Sequence, residues 1–237
     1  MNKLNPRQSE AVRYADGPML VLAGAGSGKT SVITRKIAYL IEQAGIPGRH
    51  IAAVTFTNKA AREMKERVGK LVDRKLTRGL TVSTFHNLGM HIIREELAHL
   101  GYHPGFSIFD AEDAKALLQD LMLREASADA GDELADIQHT ISAWKNDMKG
   151  PEDAWSRAAD EREQRIALIY KRYQQYLKAY NAVDFDDLIL KARQLLNDPG
   201  VAAWVLYRLD GGIDHILVDE AQDTSPVQWD VIEKLAQ

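Results

Sequence analysis

The sequence predicts an α/β protein, a parallel sheet of short apolar strands flanked by amphipathic helices and interrupted by an all-helical insertion. Three observations carry this. Residues 19–22 (MLVL) form an apolar run that leads through a glycine-rich turn into Val32, Ile33, Ile37, Leu40 and Ile41, spaced as one helix face. Residues 51–56 (IAAVTF) and 80–84 (LTVST) are two further short runs followed by helical patterns, the alternation of a parallel sheet. Between about Leu88 and Ala182 strand signals fade and helical spacing takes over, and a strand returns at 215–218 (HILV).

Asn5-Pro6 reads as an N-cap and first helical residue. That helix runs to about Ala15 and stops at Asp16-Gly17-Pro18, a turn signal. Gln8 lies on it, just upstream of the glycine turn. Its amide carries a donor and an acceptor, which suits reading an adenine edge and equally suits a solvated helix surface. The helix after the turn ends near Ala44-Gly45, where glycine fits the position past a C-terminus. After strand 51–56, Ala60, Ala61, Met64, Val68 and Leu71 recur at helical spacing, and Asn58 can cap that helix.

Strand 80–84 leads into Phe85-His86, and the insertion follows. Its helices show in Ile92, Ile93, Leu97 and Leu100, then Leu117, Leu118, Leu121 and Met122, then Leu134, Ile137 and Ile141, then Ile166, Ile169, Tyr173 and Leu177. Gly150-Pro151 breaks the run. Asp184-Phe185-Asp186-Asp187-Leu188 opens another helix, strand 215–218 ends at Asp219-Glu220, and Thr224-Ser225-Pro226 caps a last helix expected to reach Gln237. The expected organisation is 1–88, a first α/β part; 89–182, the helical insertion; and 183–237, the second α/β part.

Composition narrows the function classes. The 237 residues suffice for one large or two modest domains. Net charge is −4, so nucleic-acid binding must rest on local features and not on a global basic bias. There is no cysteine, which excludes disulfides, thiol nucleophiles and cysteine-ligated metals and suits a reducing compartment. The first residues carry no signal-peptide core, and no apolar stretch is long enough to span a bilayer. The expectation is a cytoplasmic protein with no membrane contact.

The chemistry concentrates at Ala23, Gly24, Ala25, Gly26, Ser27, Gly28, Lys29 and Thr30. A strand, a glycine-rich turn and a helix start in this order aim backbone N–H groups and a helix N-terminus at one point, and both attract phosphate. The glycines let the backbone approach phosphate oxygens. Lys29 supplies a point charge for the outer phosphates, and the Thr30 hydroxyl is suited to Mg²⁺. The Walker A pattern is met except at its first position, where Ala23 stands for glycine. Asp219 and Glu220 at a strand tip complete the set. Asp219 suits Mg²⁺, usually through water, and Glu220 suits the water that attacks the γ-phosphate.

With these residues in hand, the chain resembles the ATP-binding half of the superfamily 1 DNA helicases of the UvrD/Rep/PcrA type. Leu4-Asn5-Pro6-Arg7-Gln8 is similar to the family's Q motif, 23–30 to motif I, 55–64 (TFTNKAAREM) to motif Ia, Ser83-Thr84-Phe85-His86 to motif Ib and Asp219-Glu220-Ala221-Gln222-Asp223 to motif II. The first half resembles the Rep branch most closely, and residues 198–229 are more similar to AddA, a helicase–nuclease subunit. Two positions depart from the common pattern, Ser31 where many relatives carry Arg, and Ala221 where Tyr is commonest. The motifs that follow motif II in the family, its second lobe and its arginine finger have no counterpart in the sequence.

The resemblance implies a RecA-like domain 1A interrupted by domain 1B, with ATP and Mg²⁺ as cofactors and Gln8 as adenine reader. It also implies 3′-to-5′ movement on single-stranded DNA and at single-strand/duplex junctions, in replication or repair, with other helicase, replication or repair proteins as partners. Thr55, Phe56 and Asn58, and Thr84, Phe85 and His86, are then the DNA-contacting loops, although either Phe suits core packing as well. Residues 59–78 are locally basic (Lys59, Arg62, Lys65, Arg67, Lys70, Arg74, Lys75, Arg78), either a phosphate-binding or a solvated face. Trp144-Lys145-Asn146 is a candidate for duplex contact, although a single Trp at helical spacing more often belongs to a core. For these residues alone the expectation is weak or absent nucleotide binding, negligible DNA-stimulated ATPase and no unwinding. The alternatives are a fragment of an AddA-like helicase–nuclease or a non-catalytic binder of single-stranded DNA or of a partner.

Overall fold

The computed structural model describes residues 4–24, 26–124, 130–208 and 213–236. These residues divide into two compact units, one drawn from Met1–Leu88, Leu206–Asp223 and Leu235–Gln237, the other from Gly89–Val205 and Thr224–Lys234.

The first unit is built on a parallel sheet. Strand β1 (Ile51–Thr55) is central, between β2 (Thr81–Thr84) and β5 (His215–Val218). The register pairs Thr55 with Thr84 and Val54 with Val218. All five β1 residues are buried, which is why this strand reads as a continuous apolar run. Helices α1 (Pro6–Arg13), α2 (Lys29–Glu42) and α3 (Asn58–Gly69) belong to this unit. Ile37 and Leu40 of α2, Met64 and Val68 of α3 and Ile51, Val82 and Leu217 of the sheet share one apolar core. Ala11 and Val12 fasten α1 to α2 through Val32. Helix α1 ends at Arg13, before the expected Ala15.

The expected strand at 19–22 does not form. Its backbone finds no partner strand, and its side chains stay in water, Leu20 at 72% and Leu22 at 87% exposure. An apolar run becomes a strand only where a neighbour accepts its ladder hydrogen bonds.

The chain leaves the first unit along α4 (Phe85–Glu96). The second unit holds α5 (Ala111–Arg124), α6 (Ala130–Asn146), α7 (Pro151–Ser156), α8 (Glu161–Ala179) and α9 (Phe185–Leu196). Leu118, Leu121, Ile137, Ile141, Ile166 and Ile169 fill its core. It is not all-helical, because β3 (Ser107–Phe109) and β4 (Ala182–Asp184) pair in parallel. Strands of three residues carry too little period to be read from sequence. The unit also continues through Val205, past the return expected at 183, because β4 and α9 enclose a buried charge in it.

That charge is Lys145, whose Nζ lies 2.7 Å from Asp184 Oδ2 and 3.1 Å from Asp187 Oδ1. Tyr173 donates its hydroxyl to the same Asp184 oxygen at 2.9 Å. Asp184 and Asp187 form a capping box that starts α9. Lys145 is 1% exposed and Trp144 packs against the same core, so 144–146 follows its core alternative and not the duplex contact. Helix α10 (Pro199–Arg208) follows, and α11 (Pro226–Leu235) ends two residues before the expected Gln237. No described helix is long and apolar enough to cross a membrane.

Candidate functional site

The site is built at the carboxyl ends of the three parallel strands of the first unit, where α/β sheets bind ligands. Phe56 follows β1, Phe85 follows β2 and Asp219 follows β5, and the register sets these strand ends level. The Asp219 N–H bonds to Val54 O at 3.0 Å, continuing the ladder one step past the strand.

The glycine turn enters α2 as its residue types require. Gly26 and Gly28 have φ of 74° and 85°, left-handed conformations that glycine adopts without a Cβ clash. Gly28 is the N-cap, and the first helical residue is Lys29. A Cβ added at Gly24 or Gly26 would meet no atom within 4 Å, so open space lies over the turn. Free helix-start amides, an open cradle, Lys29 and a hydroxyl at Thr30 fit a polyphosphate with a hard cation. Ala23 and Thr30 are half-buried, Ser27 is exposed, and Ala25 lies outside the described residues.

Lys29 Nζ lies 3.6 Å from Glu220 Oε2, so the structure brings the turn and the strand-end acids together. Glu220 has φ 53°, uncommon for a residue with a Cβ. Gln222, which sequence reasoning gave no role, donates its amide to Glu220 Oε2. That bond and the Lys29 charge hold the Glu220 carboxyl below its ordinary value. Burial, then the charge of Glu220, pushes Asp219 above its own. Of the two acids, Asp219 is the buried one, at 7% exposure. Among the described residues there is no cluster of three or more His, Cys, Asp or Glu able to hold a metal unaided. A cation here would take phosphate oxygens and water beside Thr30 and Asp219.

Gln8 is engaged with the turn. Its Nε2 donates to Ser27 O at 2.9 Å while its Oε1 accepts the Asn5 N–H at 2.9 Å. The N-cap spacing was legible in the sequence; the reach across to Ser27 was not.

The six DNA candidates separate by burial. Thr55, Thr84 and Phe85 are buried at 2%, 5% and 2% exposure, and the Thr84 hydroxyl accepts the Asn87 N–H at 3.2 Å. As folded, these three side chains serve packing and capping. Phe56 is half-buried with its ring centroid 5.5 Å from that of Phe85, Asn58 is exposed and accepts from the Asn87 amide at 3.0 Å, and His86 is half-buried. Lys59, Arg62, Lys65 and Arg67 are exposed on α3.

Comparison with known proteins gives a consistent result. The pattern of the UvrD/REP helicase N-terminal domain matches residues 4–237. ATP-dependent DNA helicase Rep of Escherichia coli K12 is 50% identical over 235 residues, 98% of this chain and 34% of that protein. Rep of Salmonella typhimurium LT2 matches to the same extent. ATP-dependent DNA helicase PcrA of Staphylococcus aureus Mu50 is 39% identical over 236 residues, 100% of this chain and 32% of that protein. The chain thus spans about a third of the length of these relatives. The match to Rep takes in the segment that resembles AddA.

Proposed function

Because the chain belongs to the UvrD/REP helicase N-terminal domain family, we propose that it is the ATP-binding part of an ATP-dependent DNA helicase acting 3′-to-5′ on single-stranded DNA in the cytoplasm, with the sheet-bearing unit as domain 1A and the helix-rich unit as domain 1B. The observation that carries the reading is the 3.6 Å approach of Lys29 to Glu220, which joins a phosphate-binding turn to a strand-end acid pair.

In this reading the amides opening α2 and the Lys29 ammonium take the outer phosphates of ATP. Thr30 and Asp219 would hold Mg²⁺, which supplies charge neutralisation to the phosphates. Glu220 orients the attacking water and accepts its proton, moving from Lys29 to the water once phosphate claims the lysine. Its low-lying carboxyl is ionised at neutral pH, as a proton acceptor requires. Gln222 steadies that carboxylate. Phe56, Asn58 and the exposed cations of α3 favour single-stranded DNA, whose bases stack on aromatic rings and whose phosphates need positive charge.

Titration with Mg·ATP into the millimolar range tests the reading. Lys29→Ala and Asp219→Ala are each expected to weaken binding by about tenfold or more, the scale of a lost charge-assisted contact. Equal binding by the wild type and Lys29→Ala would overturn it.

A further inference from the structure

Helix α1 is fastened to α2 by more than apolar contact. Lys36 donates to Ala11 O at 3.0 Å and also to Tyr14 O. At the start of α1, Asn5 and Gln8 lock each other, with the Gln8 N–H on Asn5 Oδ1 at 2.8 Å and the Asn5 N–H on Gln8 Oε1 at 2.9 Å. This capping box fixes the Gln8 side chain before any ligand arrives. Its remaining amide end then lies on the phosphate turn, 2.9 Å from Ser27 O and 3.6 Å from the position a Cβ of Gly28 would take.

The turn needs such a tie. Its glycines lose the most conformational freedom on ordering, and Gly24 and Gly26 have no packing where a side chain would sit. Within the turn the Ser27 N–H bonds to Gly24 O at 3.3 Å, a long contact. Ser27 lies between the two residues of positive φ, so fixing its carbonyl sets the direction of the amides that follow.

We infer that Gln8 is a positioning residue for the phosphate turn, holding the Ser27–Gly28 backbone in its anion-ready form from the anchored α1 helix, whether or not a base is bound. The inference rests on the proposed nucleotide site and adds to it a role that needs no adenine. The amide retains one N–H and one lone pair for a base edge, so holding the turn and reading the base are compatible uses of one side chain.

Gln8→Glu is the discriminating variant. Its carboxylate still accepts the Asn5 N–H and keeps the cap, while the donor to Ser27 O is replaced by an acceptor that repels it. Millisecond amide exchange is measured on the ligand-free chain, and binding is measured with Mg·tripolyphosphate, which has no base. The expected result is several-fold faster exchange at Ser27, Gly28, Lys29 and Thr30 with wild-type exchange in α1, and tripolyphosphate binding about tenfold weaker than wild type. Unchanged turn exchange, or unchanged tripolyphosphate binding alongside weakened ATP binding, would overturn the inference and leave Gln8 a base reader only. If wild type and Lys29→Ala bind Mg·ATP and tripolyphosphate equally, the proposed nucleotide site falls, and the exchange result still decides whether Gln8 holds the turn.

Discussion

Lys29 Nζ and Glu220 Oε2 lie 3.6 Å apart with their side chains 31% and 42% exposed. The lysine proposed for phosphate is therefore already paired with the acid proposed for water. A pair this exposed is screened and contributes little, roughly 0–1 kcal/mol, so a triphosphate can displace the carboxylate. Removing the Glu220 charge without changing its shape should release the lysine. Glu220→Gln is expected to bind Mg·ATP at least as tightly as wild type, whereas Lys29→Ala loses affinity. Weaker binding by the Gln variant in the same titration would count against competition between the carboxylate and phosphate.

The Lys145, Asp184 and Asp187 cluster predicts a stability effect far from the proposed nucleotide site in sequence. Burial works to lower the Lys145 pKa, but Asp184 and Asp187 outweigh it and raise it above the ordinary range. Lys145→Met leaves two buried carboxylates without their ion-pair partner, a loss of about 3–5 kcal/mol by the usual cost of breaking a buried pair. Lys149→Met, at the exposed pair with Asp147, should change stability by less than about 1 kcal/mol. Urea midpoints of the two variants measure the difference.

The same region predicts alkaline sensitivity. Burial, then the charge of Asp187, pushes Tyr102 up to about 12 from an ordinary 10.0. Burial likewise raises Tyr170 and Tyr173. Groups whose folded pKa is raised give stability that is complete below the unfolded value and lost as pH climbs through the folded one. Stability should hold below the ordinary tyrosine value and fall as pH rises from 10.0 through about 12. In Tyr102→Phe, denaturant midpoints at about pH 9 and about pH 11.5 should differ less than in wild type.

Phe56 and Phe85 should respond in opposite ways. Phe85 is 2% exposed, so Phe85→Ala is expected to cost about 3–5 kcal/mol of stability, as a core truncation does. Phe56 is half-buried at a strand end. Phe56→Ala should weaken binding of a short single-stranded oligonucleotide by about 1–3 kcal/mol, one stacked base, with a smaller stability loss. Equal oligonucleotide affinity in Phe56→Ala and wild type would remove Phe56 from the interface.

The legible parts of the chain were those set by local chemistry. Gly26 and Gly28 mark the turn because positive φ selects glycine, and Asn5-Pro6 marks a helix start because a cap needs an acceptor. Strand β1 was legible because burial on both faces leaves an unbroken apolar run. Residues 19–22 misled because a strand also needs a partner, which its own side chains do not encode. Strands β3 and β4 were too short to show a period. The ion pair of Lys145 was hidden because its partners lie far along the chain; the Asp184 to Asp187 spacing signalled the cap but not the ion it shares. The burial of Thr55, Thr84 and Phe85 was hidden for the same reason, because a motif position does not state which way a side chain packs.

Backbone amide spectra of the chain recorded as Mg·ATP is added test the central claim most directly. The account predicts that shifts appear together at Gly26, Ser27, Gly28, Lys29 and Thr30 and at Asp219, Glu220 and Gln222, and that Lys29→Ala abolishes both sets at the same nucleotide concentration. Shifts confined to one set, or both sets persisting unchanged in Lys29→Ala, would contradict it.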